Sequence, residues 1–417
     1  MNKIFEFVLD LKSEYFSHFN TSYNYPDTYR SIIEYWAAML KQNNINDYYF
    51  NVLKPIQTTQ YGNLVLLRYG KYSDVFGGEY DYMEFWDDYN GIYKHCRSIV
   101  IDIVNSKIVI YPFDKFFNLN EREETYTKNV LEKIKGAFYV SITDKLDGSM
   151  QCARYYNNEF IMSGSQSLDP NNSWRLADGY NYLIDNYKQM LKDYPDHTFI
   201  FEYISKKDEH VVVYNEEQYG LNLIGARSED SIFLTYKELK EIANKYNVKI
   251  TTLHEITFEE MLESLKKYKS NEKEGYVLHA MSLDYDFFVK IKCDDYVEMH
   301  KILSALSSIN LIIKNIGDET FDDFFSKIPD TYKKRVLDIA NKVFEYNFKM
   351  KSNVTSWCQY LDSYKYDNIK DKMIYITNYV PQNIQGYVRE YAKTGNICQN
   401  YIKKKNSYIK FKEIESC

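Results

Sequence analysis

A chain of 417 residues with 45% hydrophobic and 27% charged positions has the make-up of a folded protein of two or three domains. Its 15 Gly and 7 Pro, set against 43 Tyr, 24 Phe and 4 Trp, exclude collagen-like, coiled-coil and wholly disordered readings. The formal net charge of -7 excludes a uniformly cationic surface but hides an asymmetry: residues 301–417 carry 19 Lys and Arg against 13 Asp and Glu, whereas residues 1–300 carry 33 against 46. A basic C-terminal region beside an acidic body is the pattern of a polyanion-docking module.

In chain order, Ile4, Phe5, Val8, Leu9 and Leu11 recur at helical spacing, and Pro26-Asp27 opens a second helix through Ile32, Ile33, Trp36 and Leu40. Charges interrupt the opening MNKIFEFVLDLKSEYF, and no run approaches the roughly 18 apolar residues of a membrane span; the expected compartment is the cytoplasm, with no membrane partner. From about Tyr61 to Lys292 the pattern turns β-rich. Strands are expected at VLLRY, IVIDIV, KIVIYPF, AFYVSIT, TFIFEYI, HVVVY, LNLIGA, EGYVLHAM and FFVKIK, with helices from Arg175 to Lys192, Tyr236 to Tyr246 and Phe258 to Tyr268. This order predicts an α+β fold with antiparallel sheets rather than a βαβ wind. Beyond Asp294 the strand signal fades; helices from Tyr296 to Ile313, Tyr332 to Phe348 and Ile384 to Ala392 predict a small all-helical C-terminal domain. The expected division is a helical lead-in at 1–60 packed on the next domain, a mixed domain at 61–300 and a basic helical domain at 301–417. Six cysteines without a CxxC pair, and seven scattered histidines, suggest neither a disulfide framework nor a zinc site.

The chemistry concentrates where AFYVSIT ends in Asp144-Lys145-Leu146-Asp147-Gly148-Ser149. A lysine at a strand end before a glycine turn sets an ammonium where a phosphate ester can meet it. By itself K-x-D-G is a weak pattern, and a surface turn is its ordinary explanation. Around it, however, stand Arg97 before IVIDIV, Lys115 in FDKFFNL, Glu202 in FIFEY, Glu274 in KEGYV, and Lys290 and Lys292 in FVKIK. Charges within apolar strands are costly to bury unpaired. Lys290 and Lys292, two apart, share one face while Val289 and Ile291 take the other; two like charges side by side fit a polyanion such as a triphosphate. With them, Glu202 and Glu274 suit a divalent metal bound beside a nucleotide.

This ordered series resembles the covalent lysine nucleotidyltransferases, which include nucleic-acid ligases and capping guanylyltransferases. Longer strings, HCRSIVID, FDKFFNLNE, FIFEYISKKDEHVVVY and KIKCDDYVEMH, resemble the phage-type RNA ligase 1 family in particular, over about residues 61–300. The resemblance implies an antiparallel-sheet nucleotidyltransferase domain in which Lys145 takes AMP from ATP as a lysyl-AMP. It implies further that Asp147 and Gly148 shape the turn and count among the nucleotide-binding residues. Arg97 and Lys115 contact nucleotide or phosphate, Phe117 is a packing or pocket position, Glu202 serves ribose and metal, Glu274 serves the metal (Mg2+ or Mn2+), and Lys290 and Lys292 contact phosphate. The implied substrates are RNA ends bearing a 5′-phosphate and a 3′-hydroxyl, tRNA among them, with an end-healing kinase/phosphatase acting upstream. The chemistry also requires a neutral amine, against a lysine reference pKa of about 10.4, so neighbouring cations and desolvation must assist. One position departs from the pattern: Ser163 in FIMSGS stands where a lysine is expected. A DNA ligase or capping enzyme would continue into a β-barrel where this chain predicts helices. A ligase-like nucleotide- or RNA-binding protein without catalysis is the alternative from another class.

Overall fold

The computed structural model describes residues 2–70, 82–208, 210–306, 309–326, 328, 330–404, 407–411 and 414. It divides into two compact units, Met1–Tyr296 and Val297–Cys417.

In the first unit, helix α1 (Lys3–His18) starts at Asn2, whose side chain accepts from the Phe5 amide at 3.1 Å, and buries Ile4, Phe7, Val8, Leu11 and Tyr15. Helix α2 (Ile32–Gln42) buries Ile32, Ile33, Trp36 and Leu40, and a short α3 (Tyr48–Leu53), not anticipated from sequence, follows. These helices cover one face of a four-stranded antiparallel sheet in the order β1 (Ile56–Tyr61), β2 (Leu64–Tyr69), β3 (Arg97–Asp102), β4 (Lys107–Ile110). Strand alternation explains how: Val65, Leu67, Ile99 and Ile101 join the helices' core, while Leu66, Val100 and Ile110 face the opposite way, into a core shared with Cys152 and Ile200. The expected boundary at residue 60 therefore falls inside β1, and the lead-in ends before Ile56.

Two further antiparallel sheets complete the unit. One has the order β7 (Glu159–Gly164), β6 (Ser149–Tyr156), β8 (His197–Ile204), β9 (Gly220–Ser228); the other is β11 (Asp286–Lys292), β10 (Gly275–Met281), β5 (Tyr139–Lys145). Helices Trp174–Asn186 and Tyr236–Tyr246 pack on Phe199, Phe201 and Leu223 of the first. Helix Phe258–Leu265 packs on Tyr276, Leu278, Val289 and Ile291 of the second. The expected strand HVVVY is not one: residues 210–214 form an irregular connection between β8 and β9. Three consecutive valines satisfy β-propensity, but Val211 and Val212 give their amides to the Asp147 carboxylate instead of to a ladder.

The second unit holds helices Ile309–Gly317, Phe321–Ser326, Asp330–Ser363, Ile369–Tyr379 and Gln385–Thr394 around a core of Ile312, Val336, Ala340, Val343, Met350, Val354, Cys358, Leu361, Ile376 and Val388. Helix Asp294–Leu306 leads into it from the first unit. The long helix runs fifteen residues past the expected end at Phe348, to Ser363, because its buried stripe continues through Met350, Val354, Cys358 and Leu361. Helix Ile369–Tyr379, unseen in the sequence, is capped by the Asn368 side chain, which accepts from the amides of Lys370 and Asp371. A two-residue ladder pairs Lys403–Lys404 with Ser407–Tyr408. Pro329, and residues 405–406 and 412–413 of the basic tail, lie outside the described residues. Among the described residues no helix is long and apolar enough to cross a membrane.

Candidate active site

The sheet β11-β10-β5 places the lysines. Its pairings align Lys292, Gly275 and Lys145 in one row across three strands, and Lys290, Val277 and Thr143 in another. Residues of one parity (Ile142, Tyr276, Leu278, Val289, Ile291) enter the core beneath, so Thr143, Lys145, Val277, His279, Phe288, Lys290 and Lys292 share the opposite face. Gly275 sits at φ 154°, and a Cβ there would come within 2.1 Å of the Ile291 carbonyl oxygen, so only glycine lets β11 approach so closely. Beside it the buried Glu274 bridges both ends of the row: Lys145 Nζ lies 2.8 Å from its Oε2 and Lys292 Nζ 2.8 Å from its Oε1.

The turn after Lys145 is fixed from behind. The Asp147 carboxylate accepts from the amides of Val211 (2.9 Å) and Val212 (3.2 Å) and from the Tyr296 hydroxyl (2.9 Å), and the Asp147 amide donates to the Tyr214 hydroxyl at 2.6 Å. Those bonds make Asp147 a residue that shapes the turn. Gly148 donates its amide to Glu202 Oε1 at 3.0 Å, and a Cβ on it would lie 2.5 Å from the Tyr203 carbonyl oxygen. Glu202 thus reaches the turn from β8, on the face opposite Phe201 and Tyr203. Burial, reinforced by Glu274 and opposed chiefly by Lys145, pushes its carboxyl up to about 7.

These groups line a cavity of about 190 Å3 whose polar end holds Arg97, Lys145, Glu202, Lys290 and Lys292. Its other end is aromatic and apolar: Phe113, Phe116, Phe233 and Phe288, with His279 stacked on Phe288 at 3.9 Å. Arg97, over the Phe116 ring at 5.0 Å, keeps its Nη1 buried without a hydrogen-bond partner. Burial first, then Lys115, Arg97, Lys145 and Lys292, pull Lys290 well below the usual lysine range. Burial likewise lowers Lys115 to about 8, with Arg97 and Lys292 adding to it and Glu121 opposing. Five cations therefore crowd two carboxylates within a unit that is otherwise acidic, an arrangement that asks for an anion.

Two expected site residues stand elsewhere. Phe117, 3% exposed, is a core residue against Trp86 (5.6 Å), and its neighbour Phe116 takes the cavity wall, because successive strand-like residues face opposite ways. Lys115 is not on that wall either; its ammonium lies over the rings of Trp86 (4.9 Å) and Phe117 (5.1 Å) and acts on the cavity through its charge. Ser163, where a lysine was expected, is 1% exposed opposite Cys152, its hydroxyl without a partner. Sequence reasoning overlooked Tyr296 and the pair next to Lys145: Asp144 binds the Lys273 ammonium and His254 Nε2 (2.7 Å), so two adjacent ion pairs, Asp144–Lys273 and Lys145–Glu274, tie the end of β5 to the entry of β10. The signal available was the alternation Asp-Lys against Lys-Glu at 144–145 and 273–274.

Glu202 and Glu274 are the carboxylates able to hold a divalent cation. Among the described residues there is no group of three or more His, Cys, Asp or Glu that could hold a metal ion.

Residues 95–297 match the family model described as RNA ligase. That segment, just under half of the chain, is similar to the RNA ligases. The matched segment opens just before Arg97 and closes just past Tyr296, and so contains every residue of the cavity's cationic end. The chain is 25% identical over 271 residues to a candidate RNA ligase of Thermovibrio ammonificans, covering 60% of this chain and 66% of that protein. It is also 25% identical over 253 residues to a candidate bifunctional polynucleotide kinase/RNA ligase of Autographa californica nuclear polyhedrosis virus, covering 56% of this chain and 35% of that one. The chain thus spans about two thirds and about one third of these relatives' lengths. An archaeal ATP-dependent RNA ligase structure aligns at 12% identity with a TM-score of 0.45, covering 76% of this chain and 82% of that one.

Proposed function

We propose that this chain is an ATP-dependent RNA ligase that seals a 5′-phosphate end to a 3′-hydroxyl end through a lysyl-AMP on Lys145. The observation that carries the reading is the convergence of Arg97, Lys145, Lys290 and Lys292 on Glu202 and Glu274, at one end of a cavity whose other end is aromatic. A purine fits the aromatic end and a triphosphate the cationic one.

In the first step Lys145 Nζ, having given up its proton and its bond to Glu274, attacks the α-phosphorus; a P–N bond forms and pyrophosphate leaves. Lys290, Lys292 and Arg97 stabilise the charge that gathers on the phosphate oxygens. Glu202 and Glu274 would hold a divalent cation, which when bound would supply further positive charge at the phosphates. An oxygen of the RNA 5′-phosphate then takes the adenylate from Lys145, and the 3′-hydroxyl attacks that activated phosphate, releasing AMP. The helical continuation after Lys292, in place of a barrel, favours an RNA substrate. We place the activity in repair of broken RNA, tRNA included, in the cytoplasm, downstream of an end-healing kinase/phosphatase.

Incubation with ATP labelled at the α-phosphate should leave label on the wild-type chain and none on Lys145→Ala. Label retained by the variant overturns the assignment; no label on either chain favours a binding-only descendant.

A further inference from the structure

The aromatic end of the cavity is held by a residue that does not line it. Strand β9 carries one residue more than its partner β8: Ile200 pairs with Gly225 and Phe201 with Leu223, so Ile224 bulges from the ladder. The bulge turns Ile224 and Gly225 both toward the cavity, while Leu223 and Ala226 enter the core on the other face of the sheet. Arg227 follows Gly225 on the cavity's side, behind its wall and 7% exposed. Its guanidinium lies over the Tyr111 ring at 3.5 Å and the Phe233 ring at 4.6 Å. Nη1 donates to the Pro112 carbonyl at 3.1 Å and to Asp114 Oδ2 at 3.3 Å, and Nε donates to the Ser231 carbonyl at 3.2 Å. Asp114 meets His95 Nδ1 at 2.9 Å through its other oxygen; of the acids on the turn after β9, Glu229 binds Arg154 and Asp230 is exposed.

These bonds run to two segments at once. Pro112 and Asp114 flank Phe113, and Ser231 stands two residues before Phe233. Phe113 and Phe233 are stacked 5.3 Å apart and 13° from parallel, and both make T-shaped contacts with Phe288, at 5.1 and 4.9 Å; all three rings line the cavity. Gly225 leaves the space in which the Phe113 ring lies, since a Cβ there would come within 2.6 Å of its Cζ. One guanidinium therefore fixes the two rings relative to each other. A planar fork that stacks on rings and donates in several directions is a role that a lysine ammonium does not fill.

We infer that Arg227 is a positioning residue for the base of the nucleotide: it sets Phe113 and Phe233, and through them the affinity for the base, without acting on the phosphate end. This deepens the ATP-dependent reading and rests on it for the nature of the ligand. The phosphate end has its own supports, because Lys145 and Lys292 are held by Glu274 across β5, β10 and β11. Rings that receive a planar ligand need their places fixed to within about 0.5 Å by the groups behind them, and here Arg227 is that group.

The test uses the full chain and two probes: an ATP analogue with a methylene bridge between the α- and β-phosphates, which binds without transferring AMP, and inorganic tripolyphosphate, which has no base. For Arg227→Lys we expect about tenfold weaker binding of the analogue, with tripolyphosphate affinity within about twofold of wild type. Asp114, 33% exposed in its side chain, offers a milder change: Asp114→Asn should weaken the analogue about threefold with the same split, and it decides the matter if Arg227→Lys melts below the assay temperature. A general loosening of the fold would weaken both probes together. In the folded variant, analogue affinity unchanged, or lost equally with that for tripolyphosphate, overturns the proposal. Labelling from ATP carrying its label at the α-phosphate separates the two failures: a chain that takes label but shows no split sinks the role of Arg227 alone, whereas a chain that shows the split but takes no label sinks the ligase step alone.

Discussion

The two units solve opposite problems with the same aromatic-rich, charge-rich composition. In the first, charged groups are drawn inward and held on strands: Glu274 spans Lys145 and Lys292 across hydrogen-bonded rows, Asp144 holds Lys273, and glycines occupy the places where a side chain would part the strands. In the second, mostly aliphatic residues fill the core between helices, with Tyr346 and Tyr401 among them, while Tyr360, Tyr364 and Tyr379 stand exposed. Transfer of a phosphoryl group needs charges fixed relative to one another, which neighbouring strands supply because each position is tied sideways as well as along the chain. Helices tie each residue only along the chain and leave such rings on an open surface.

The contrast is sharpest at the glycines. Gly148→Ala should lower self-labelling from ATP by at least about a hundredfold, because its Cβ would press on the Tyr203 carbonyl and on Glu202 Cγ at 2.9 Å. Gly386, in helix Gln385–Thr394, has nothing within 4 Å of its would-be Cβ; Gly386→Ala should leave labelling unchanged and raise the melting temperature slightly, since alanine favours a helix by about 1 kcal/mol over glycine. Equal labelling by the two variants would erase the distinction.

Next in size is the shared carboxylate. Lys145→Ala or Lys292→Met alone leaves Glu274 one lysine, so each should cost little stability at pH 8. The double variant leaves a buried carboxylate unpaired, and denaturant melts should show a loss of about 3 kcal/mol, well above the sum of the singles. Strict additivity would mean that the bridge contributes nothing.

The smallest effect concerns Glu202, raised from an ordinary 4.5 to about 7. The folded chain then binds this proton more tightly than the unfolded one, so stability falls as pH rises from about 4.5 to about 7 and levels off above. Glu202→Gln should flatten that part of the profile in thermal melts across the range. A slope identical to wild type would show that the cavity does not desolvate the carboxylate.

Much of the chemistry was readable along the chain. Lys145 before a glycine turn, Lys290 and Lys292 two apart with Val289 and Ile291 between them, and Glu202 and Glu274 set in apolar strands are local facts, because strand alternation assigns faces without knowledge of neighbours. The α+β class and the change to helices after Asp294 followed from periodicity in the same way. Tertiary structure alone decided which groups meet. It gave Asp147 to the amides of Val211 and Val212, turning an apparent strand into a brace; it sent Phe117 into the core and Phe116 to the cavity; and it set Asp144 against Lys273, 129 residues away. Side-chain direction is a property of a segment, whereas pairing is a property of the register between segments, and that register is settled by the packing of whole sheets.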